Sequence, residues 1–277
     1  MMRTLAIFLL ALLLAAPNAA AETTIPGFWD SRERLVRPDL SGVTRLRFLT
    51  TIDFPPFNAL DGEGRLSGFH VDLARAICAE LDLSEQCQIQ ALPWAELPEA
   101  LATGQGEAII AGIGITAETR RRYAFSRPYL QLPARFIMAR ATAVDEPLVE
   151  RLAGKSVGVA AGSVHERILR ELFPEVRVVT YSRAEWMLGD LKDGKTDAVF
   201  GDGMRLSFWI AGSASNRCCR FVGGPYLLPA WLGTGMAIAA RPDDEKLVAA
   251  FDYALREINA NGVFGELYLR YFPISYF

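Results

Sequence analysis

Two stretches of this chain read almost alike, and together they set its architecture. Leu101 to Gly112 runs Leu-Ala-Thr-Gly-Gln-Gly-Glu-Ala-Ile-Ile-Ala-Gly, and Leu191 to Asp202 runs Leu-Lys-Asp-Gly-Lys-Thr-Asp-Ala-Val-Phe-Gly-Asp. Each is the end of a helix, a glycine stop, and a short apolar run with no polar alternation. A strand buried on both faces, as in a parallel sheet, has that continuous apolar look. Helices alternating with such strands predict parallel sheets, and the unit occurring twice predicts two α/β lobes of similar build.

The rest of the chain fits around this pair. Arg45 to Thr50 alternates, with Leu46 and Phe48 on one face, as a first strand should, and Pro55-Pro56 stops it. Asp61-Gly62-Glu63-Gly64 is a turn. Ala74, Ile77, Cys78 and Leu81 recur at helical spacing. Lys155 to Ala161 reads as the opening strand of the second lobe, and Ser163 with Glu166 fits a capping box at the helix that follows. Leu247, Phe251, Ala254 and Ile258 share one face of a late helix that Gly262 stops. Crossings between the lobes are expected at Arg135 to Thr142 and around Gly233 to Ala240. Residues 22–44 are polar and turn-rich, an irregular arm with Phe28 and Trp29 as its anchors on the body.

The N-terminal residues address the chain. Met1-Met2-Arg3 is a basic start, Thr4 to Ala16 is almost wholly apolar, and Ala19-Ala20-Ala21 offers a cleavage site. That is the pattern of a secretory signal peptide. The apolar run falls short of the ~20 residues of a membrane-spanning helix, and no cysteine at the cleavage point suggests a lipid anchor. A mature chain beginning near Glu22, soluble outside the cytoplasm, is expected. Half of the residues are apolar, enough for a substantial core, and the formal net charge of −3 comes without a basic stripe. Nucleic acid is therefore not an expected partner. Of the four cysteines, Cys78 and Cys87 are the pair expected to bond in an oxidising compartment. Cys218 and Cys219 are not expected to bond each other, because disulfides usually need Cα atoms ~4.4–6.8 Å apart. With two histidines and no Cys-x-x-Cys pair, a metal site is not expected.

Several short motifs now combine. They are Phe54-Pro55-Pro56-Phe57; Gly68-Phe69-His70-Val71-Asp72-Leu73-Ala74; Ala108 to Thr116; Ala124-Phe125-Ser126-Arg127-Pro128-Tyr129; Leu152 to Val159 leading into Gly162-Ser163; and Asp197 to Asp202. From about residue 45 to the C-terminus, the chain resembles the periplasmic solute-binding proteins of family 3, which serve amino-acid uptake transporters of the ATP-binding-cassette class. The resemblance implies a two-lobed type II periplasmic-binding-protein fold, α/β in class. Its two crossover strands join lobes that close on a small ligand, without chemistry on that ligand and without a cofactor. It implies residues 45–138 with 235–277 as the first lobe and 139–234 as the second, after a signal peptide at 1–21 and an arm at 22–44. A monomer that meets an inner-membrane permease is expected. The Cys78–Cys87 pairing resembles a disulfide of some basic-amino-acid members.

A free amino acid brings two charges that must be paired on burial. The resemblance assigns the ammonium to Asp202, just past an apolar strand, where α/β sheets place ligands. A helix N-cap is the other reading of Asp202. Phe54 and Trp94 match the aromatic walls of the cleft, against the alternative of ordinary core packing. The backbone N–H groups of Ser163 and Val164 stand at a helix start, a ready anion site, although capping alone explains Ser163. Gly112 and Gly114 leave backbone free to approach a ligand. The family's carboxylate-binding Arg position is Thr119 here, followed by Arg120-Arg121-Arg122. Arg120 either reaches the cleft from a shifted turn or belongs to a solvated face. Basic-amino-acid members often carry an acid at the position of Thr51. A cationic side chain is thus disfavoured, and a neutral, aromatic or larger carboxylated ligand fits better.

Two other functional classes remain open at this point. Some relatives of this scaffold dehydrate cyclohexadienyl acids, a reaction that needs a general acid, and Glu96, His165 and Glu166 are the candidates near the cleft. A periplasmic sensor or partner-docking protein is the other.

Overall fold

The computed structural model describes residues 29–30, 32–144, 146–272 and 274–277. The expected signal peptide and Phe28 lie outside these residues. Chain order in the first half is β1 (Leu46–Thr50), β2 (Asp53–Phe54), β3 (Asn58–Leu60), β4 (Leu66–Ser67), α1 (Phe69–Glu80), β5 (Cys87–Ala91), α2 (Leu97–Ala102), β6 (Ala108–Ile109) and β7 (Ala124–Phe125). The middle of the chain gives β8 (Ala134–Ala139), α3 (Leu148–Leu152), β9 (Ser156–Ala160), α4 (Val164–Leu172), β10 (Arg177–Tyr181), α5 (Ala184–Lys192), β11 (Ala198–Asp202), α6 (Gly203–Ala211), β12 (Cys219–Tyr226) and α7 (Pro229–Leu232). The chain closes with β13 (Ala239–Ala240), α8 (Glu245–Ala260) and α9 (Val263–Tyr271).

Two five-stranded sheets carry these elements, in the orders β5-β1-β6-β13-β7 and β10-β9-β11-β8-β12. Each has three parallel strands with the earliest of the three in the middle, then one antiparallel strand, then a last strand that again runs with the first three. The look-alike segments supply equivalent pieces: α2 leads through Gly104 to β6, and α5 through Gly194 to β11, with both glycines at φ +73°. A positive φ is where a glycine helix stop is favoured.

The helical stripes read from the sequence face the cores. Ala74, Ile77, Cys78 and Leu81 of the first stripe are buried, as are Leu247, Phe251, Ala254 and Ile258 of α8. Full burial of each large apolar side chain is worth roughly 1.5–3 kcal/mol, so these faces fix the helices against the first sheet. Gly68, at φ +132°, admits no side chain, because a Cβ there would lie 2.2 Å from the Phe57 carbonyl oxygen. The start of α1 is thereby pressed onto the β2–β3 turn.

Passage between the sheets differs from the sequence expectation. Arg135 to Thr142 was expected to connect the lobes, with the boundary at residue 138. Instead β8 is an interior strand of the second sheet, paired from Ala134 to Met138 with β11. The outward passage therefore lies before Ala134. Ala134–Ala139 is apolar apart from Arg135, and it is buried from Ala134 to Met138, as an interior strand covered on both faces requires. The return passage follows β12 and rejoins the first sheet at β13. The two passages pair with each other: Met236 N–H donates to the Leu130 carbonyl (2.8 Å), and Tyr129 N–H donates to the Met236 carbonyl (3.0 Å).

Cys78 and Cys87 are bonded, tying α1 to the first residue of β5. Cys218 and Cys219 are also bonded, contrary to expectation, with Cα atoms 3.7 Å apart. The distance rule describes cysteines brought together from separate segments. Adjacent cysteines can close a small ring across one peptide, and here Asn216 and Arg217, both at positive φ, turn the chain directly before it. The described part of the arm is irregular. Trp29 packs on the first core under the Arg127 guanidinium, 5.3 Å from its ring centre, and Glu33 pairs with Arg127.

Candidate functional site

The residues singled out in sequence gather just beyond the carboxyl ends of parallel strands, on both sheets. Phe54 follows β1, Trp94 follows β5, Gly112 and Gly114 follow β6, Ser163 and Val164 follow β9, and Asp202 ends β11. Strand ends expose backbone groups and loops on one edge, where open α/β sheets bind ligands.

On the first sheet, Phe54 is half-buried and stacks on Phe57, with ring centres 4.7 Å apart. Its edge lies over Gly112. A Cβ on Gly112 would sit 2.8 Å from Phe54 Cε1 and 3.4 Å from Met236 Sδ, and its φ of +83° also favours glycine. Phe54, Gly112 and Met236 thus form one wall. Met236 was not singled out in sequence; only its place in the return passage hinted at it. Trp94 is 53% exposed and lines a hollow of about 160 Å³ with Leu97, Ile113, Thr119 and Tyr123. It is a surface ring and not a core residue. A second hollow of about 200 Å³ is lined by Thr51, Ile52, Asp53 and Leu92. A larger hollow of about 510 Å³ lies between the arm and the Leu81–Gln86 turn. It is remote from the carboxyl ends of the strands.

Thr119 is committed locally: its hydroxyl donates to the Gly114 carbonyl (2.9 Å) and accepts from Thr116 N–H (2.9 Å). Arg120 is exposed on a short 3-10 turn, Thr119–Arg121, with its N–H on the Thr116 carbonyl (3.0 Å). Gly114 is tied to Met236 by a β-bridge.

On the second sheet, Ser163 caps α4. Its hydroxyl oxygen accepts from Glu166 N–H (3.1 Å), and Glu166 reaches back to Gly162 N–H (2.8 Å). Ser163 N–H itself donates to the Ala160 carbonyl (3.3 Å), so of the two N–H groups expected to receive an anion, that of Val164 stands at the open first turn. Asp202 caps α6, with Oδ1 accepting from Arg205 N–H (2.8 Å). The capping reading of Asp202 is therefore correct, and the second carboxylate oxygen is left for another partner. His165 rests edge-on against Phe200, with ring centres 6.0 Å apart. Burial pushes its pKa down, opposed by the nearby Asp202 and assisted by Arg205.

Beneath the first wall runs a buried polar chain that the sequence did not reveal. Asn58 Nδ2 donates to Thr51 Oγ1 (2.7 Å), Asn58 Oδ1 meets His70 Nδ1 (2.5 Å), and His70 Nε2 meets the Tyr129 hydroxyl (2.9 Å). All four residues are buried, and burial holds His70 neutral, with its pKa pushed down to about 3. The chain joins the β1 end to Tyr129 in the outward passage.

Comparison with known proteins gives the family and the fold. The family model of the bacterial extracellular solute-binding proteins, family 3, matches residues 46–274. The arginine-binding periplasmic protein of Mannheimia haemolytica is 31% identical over 78% of this chain and 86% of its own. The ABC transporter arginine-binding protein 1 of Escherichia coli is 28% identical over 84% of this chain and 93% of its own. Among solved structures, the L-cystine solute receptor of Neisseria gonorrhoeae, in its unliganded open conformation, superposes with a TM-score of 0.71 at 18% identity. That match covers 83% of this chain and 94% of that one, and it shows a shared type II fold. With a family model spanning both sheets and the crossings between them, the chain belongs to the bacterial extracellular solute-binding proteins, family 3.

Proposed function

We propose that this chain is the periplasmic receptor of an ATP-binding-cassette importer and that it binds an amino acid between its two sheets. The observation that carries this reading is the placement of Phe54, Gly112, Val164 and Asp202 at carboxyl strand ends on either side of the paired passages. Family membership and the relatives' names support it. In this reading the free oxygen of Asp202 meets the ligand ammonium, the Val164 N–H meets its carboxylate, and Phe54 and Trp94 cover its side chain. The passages at Tyr129–Leu130 and Met236 act as the hinge.

Two of the relatives named above are arginine-binding by name, and the solved structure is an L-cystine receptor by name. Here the buried chain ending at Thr51 is neutral throughout, and Thr119 is spent on its own turn. A cationic side chain would find no buried carboxylate among these groups, so a neutral amino acid is the preferred ligand. Calorimetry with the twenty amino acids and their N-acetyl forms tests this. Binding of a neutral amino acid, lost on acetylation, is the expected result. Binding of no amino acid overturns the reading, and preference for arginine overturns its ligand class.

A further inference from the structure

Arg135 is a buried cation held by carbonyls. It is 6% exposed. Its Nη1 donates to the Tyr276 carbonyl (2.9 Å) and its Nη2 to the Gly223 carbonyl (3.1 Å). Its guanidinium lies over the Phe221 ring, 4.5 Å from the centre. A buried charge is costly unless it is paired or hydrogen-bonded; carbonyls match the two Nη donors, while the buried Nε has no hydrogen-bond partner. Tyr276 is fully buried, against Phe272 (5.5 Å) and Tyr268 of α9 (5.7 Å), on the side of the first core. Arg135 and Phe221 belong to strands of the second sheet. The contact therefore joins the two halves at a third place, apart from the two chain passages.

The same contact reaches the candidate ammonium site. Gly203 follows Asp202 directly, and its N–H donates to the Pro133 carbonyl (2.9 Å). A Cβ on Gly203 would lie 2.8 Å from Arg135 Cγ, 3.0 Å from the Pro133 oxygen and 3.4 Å from Tyr276 Cβ. The turn that presents Asp202 is thus packed between the Arg135 stem, the end of the outward passage and the C-terminal segment.

We propose that Arg135 and Tyr276 form an inter-lobe tie that sets the resting angle of the two halves and positions Asp202. The proposal rests on the hinged reading given above. Arg135 and Tyr276 are positioning residues: they act on ligand through Asp202 and the lobe angle. A tie at the rear of a hinge restricts which angles the unliganded protein samples, and a ligand then shifts that population by its differential affinity for each angle.

The test is a distance distribution between spin labels at exposed Ala102 in α2 and Glu171 in α4, measured on the full chain. The native cysteines are all in disulfides, so new thiols at these positions take the labels. Wild type is compared with Arg135→Gln and, as a second route that leaves the guanidinium in place, Gly203→Ala. Tyr276→Ala, which keeps the backbone carbonyl but removes the wedge, covers the case in which Arg135→Gln fails to fold. Each is measured alone and with L-glutamine, L-histidine or L-arginine at millimolar concentration. The expected result is a broader, shifted distribution for the variants without ligand, whatever their melting temperature. A folded variant with the wild-type distribution overturns the tie. A wild-type distance that a bound amino acid does not move overturns the hinge reading, and the tie with it.

Discussion

Asp202 caps α6 and, in the proposed function, also meets the ligand ammonium; substitutions can separate the two. Oδ1 caps α6 through Arg205 N–H, and losing a cap typically costs about 1 kcal/mol. Breaking a buried ion pair costs about 3–5 kcal/mol, which is at least about a hundredfold in affinity. Asp202→Ser should keep the cap and lose the pair. Its urea midpoint should stay near wild type while calorimetric affinity for the amino acid falls by that factor. Asp202→Ala should lose both. Unchanged affinity in Asp202→Ser would leave Asp202 a cap alone. His70 gives the pH counterpart. Its folded pKa, about 3, lies below the ordinary 6.5, so the unfolded chain takes up a proton that the folded protein refuses. Stability from this group is therefore whole above about pH 6.5 and falls as pH drops towards 3, by up to about 1.4 kcal/mol per pH unit. Urea unfolding at pH 7, 5 and 4 should show that loss, and His70→Gln should flatten it. Equal slopes in both proteins would contradict the neutral-histidine account.

Elements differ in how plainly the sequence announces them, and the reason is range. The stripes of α1 and α8 and the glycine stop before β11 are written within a few residues, so periodicity finds them. The Ser163–Glu166 box is local too, and it forms with a shift, since Glu166 bonds Gly162 N–H and not that of Ser163. β8 is the instructive failure: whether a largely apolar run crosses between lobes or sits inside a sheet depends on β11 and β12, whose paired residues lie 60 or more positions away. The chain from Thr51 to Tyr129 is invisible for the same reason. Of the candidate site, the strand-end positions were legible, including Asp202 as a helix cap, whereas the local engagement of Thr119 and the place of Met236 beside Gly112 needed coordinates. The Cys78–Cys87 bond spans a sequence separation of 9, and closing so short a loop is worth roughly 2–3 kcal/mol. A Cys78→Ser, Cys87→Ser double variant should lose about that much in urea unfolding. Gly112→Ala should act on the site instead. Its Cβ displaces Phe54, and the left-handed backbone adds roughly 1–2 kcal/mol of strain. Weakened ligand binding is expected, with a melting temperature that falls less than for a variant at Gly68.

At the scale of the whole molecule, two sheets of like topology are joined by a pair of hydrogen-bonded passages, and in the proposed function each supplies part of the binding site. The proposed function requires the halves to approach each other on a ligand. The ligand can drive that approach only through contacts present in the closed form and missing from the open one. The most direct measurement is small-angle scattering of the purified mature protein, with and without the amino acid that calorimetry identifies. Compaction on saturation with ligand, abolished in Asp202→Ser, is the predicted result. An unchanged radius of gyration with the ligand demonstrably bound would contradict the hinged-receptor account.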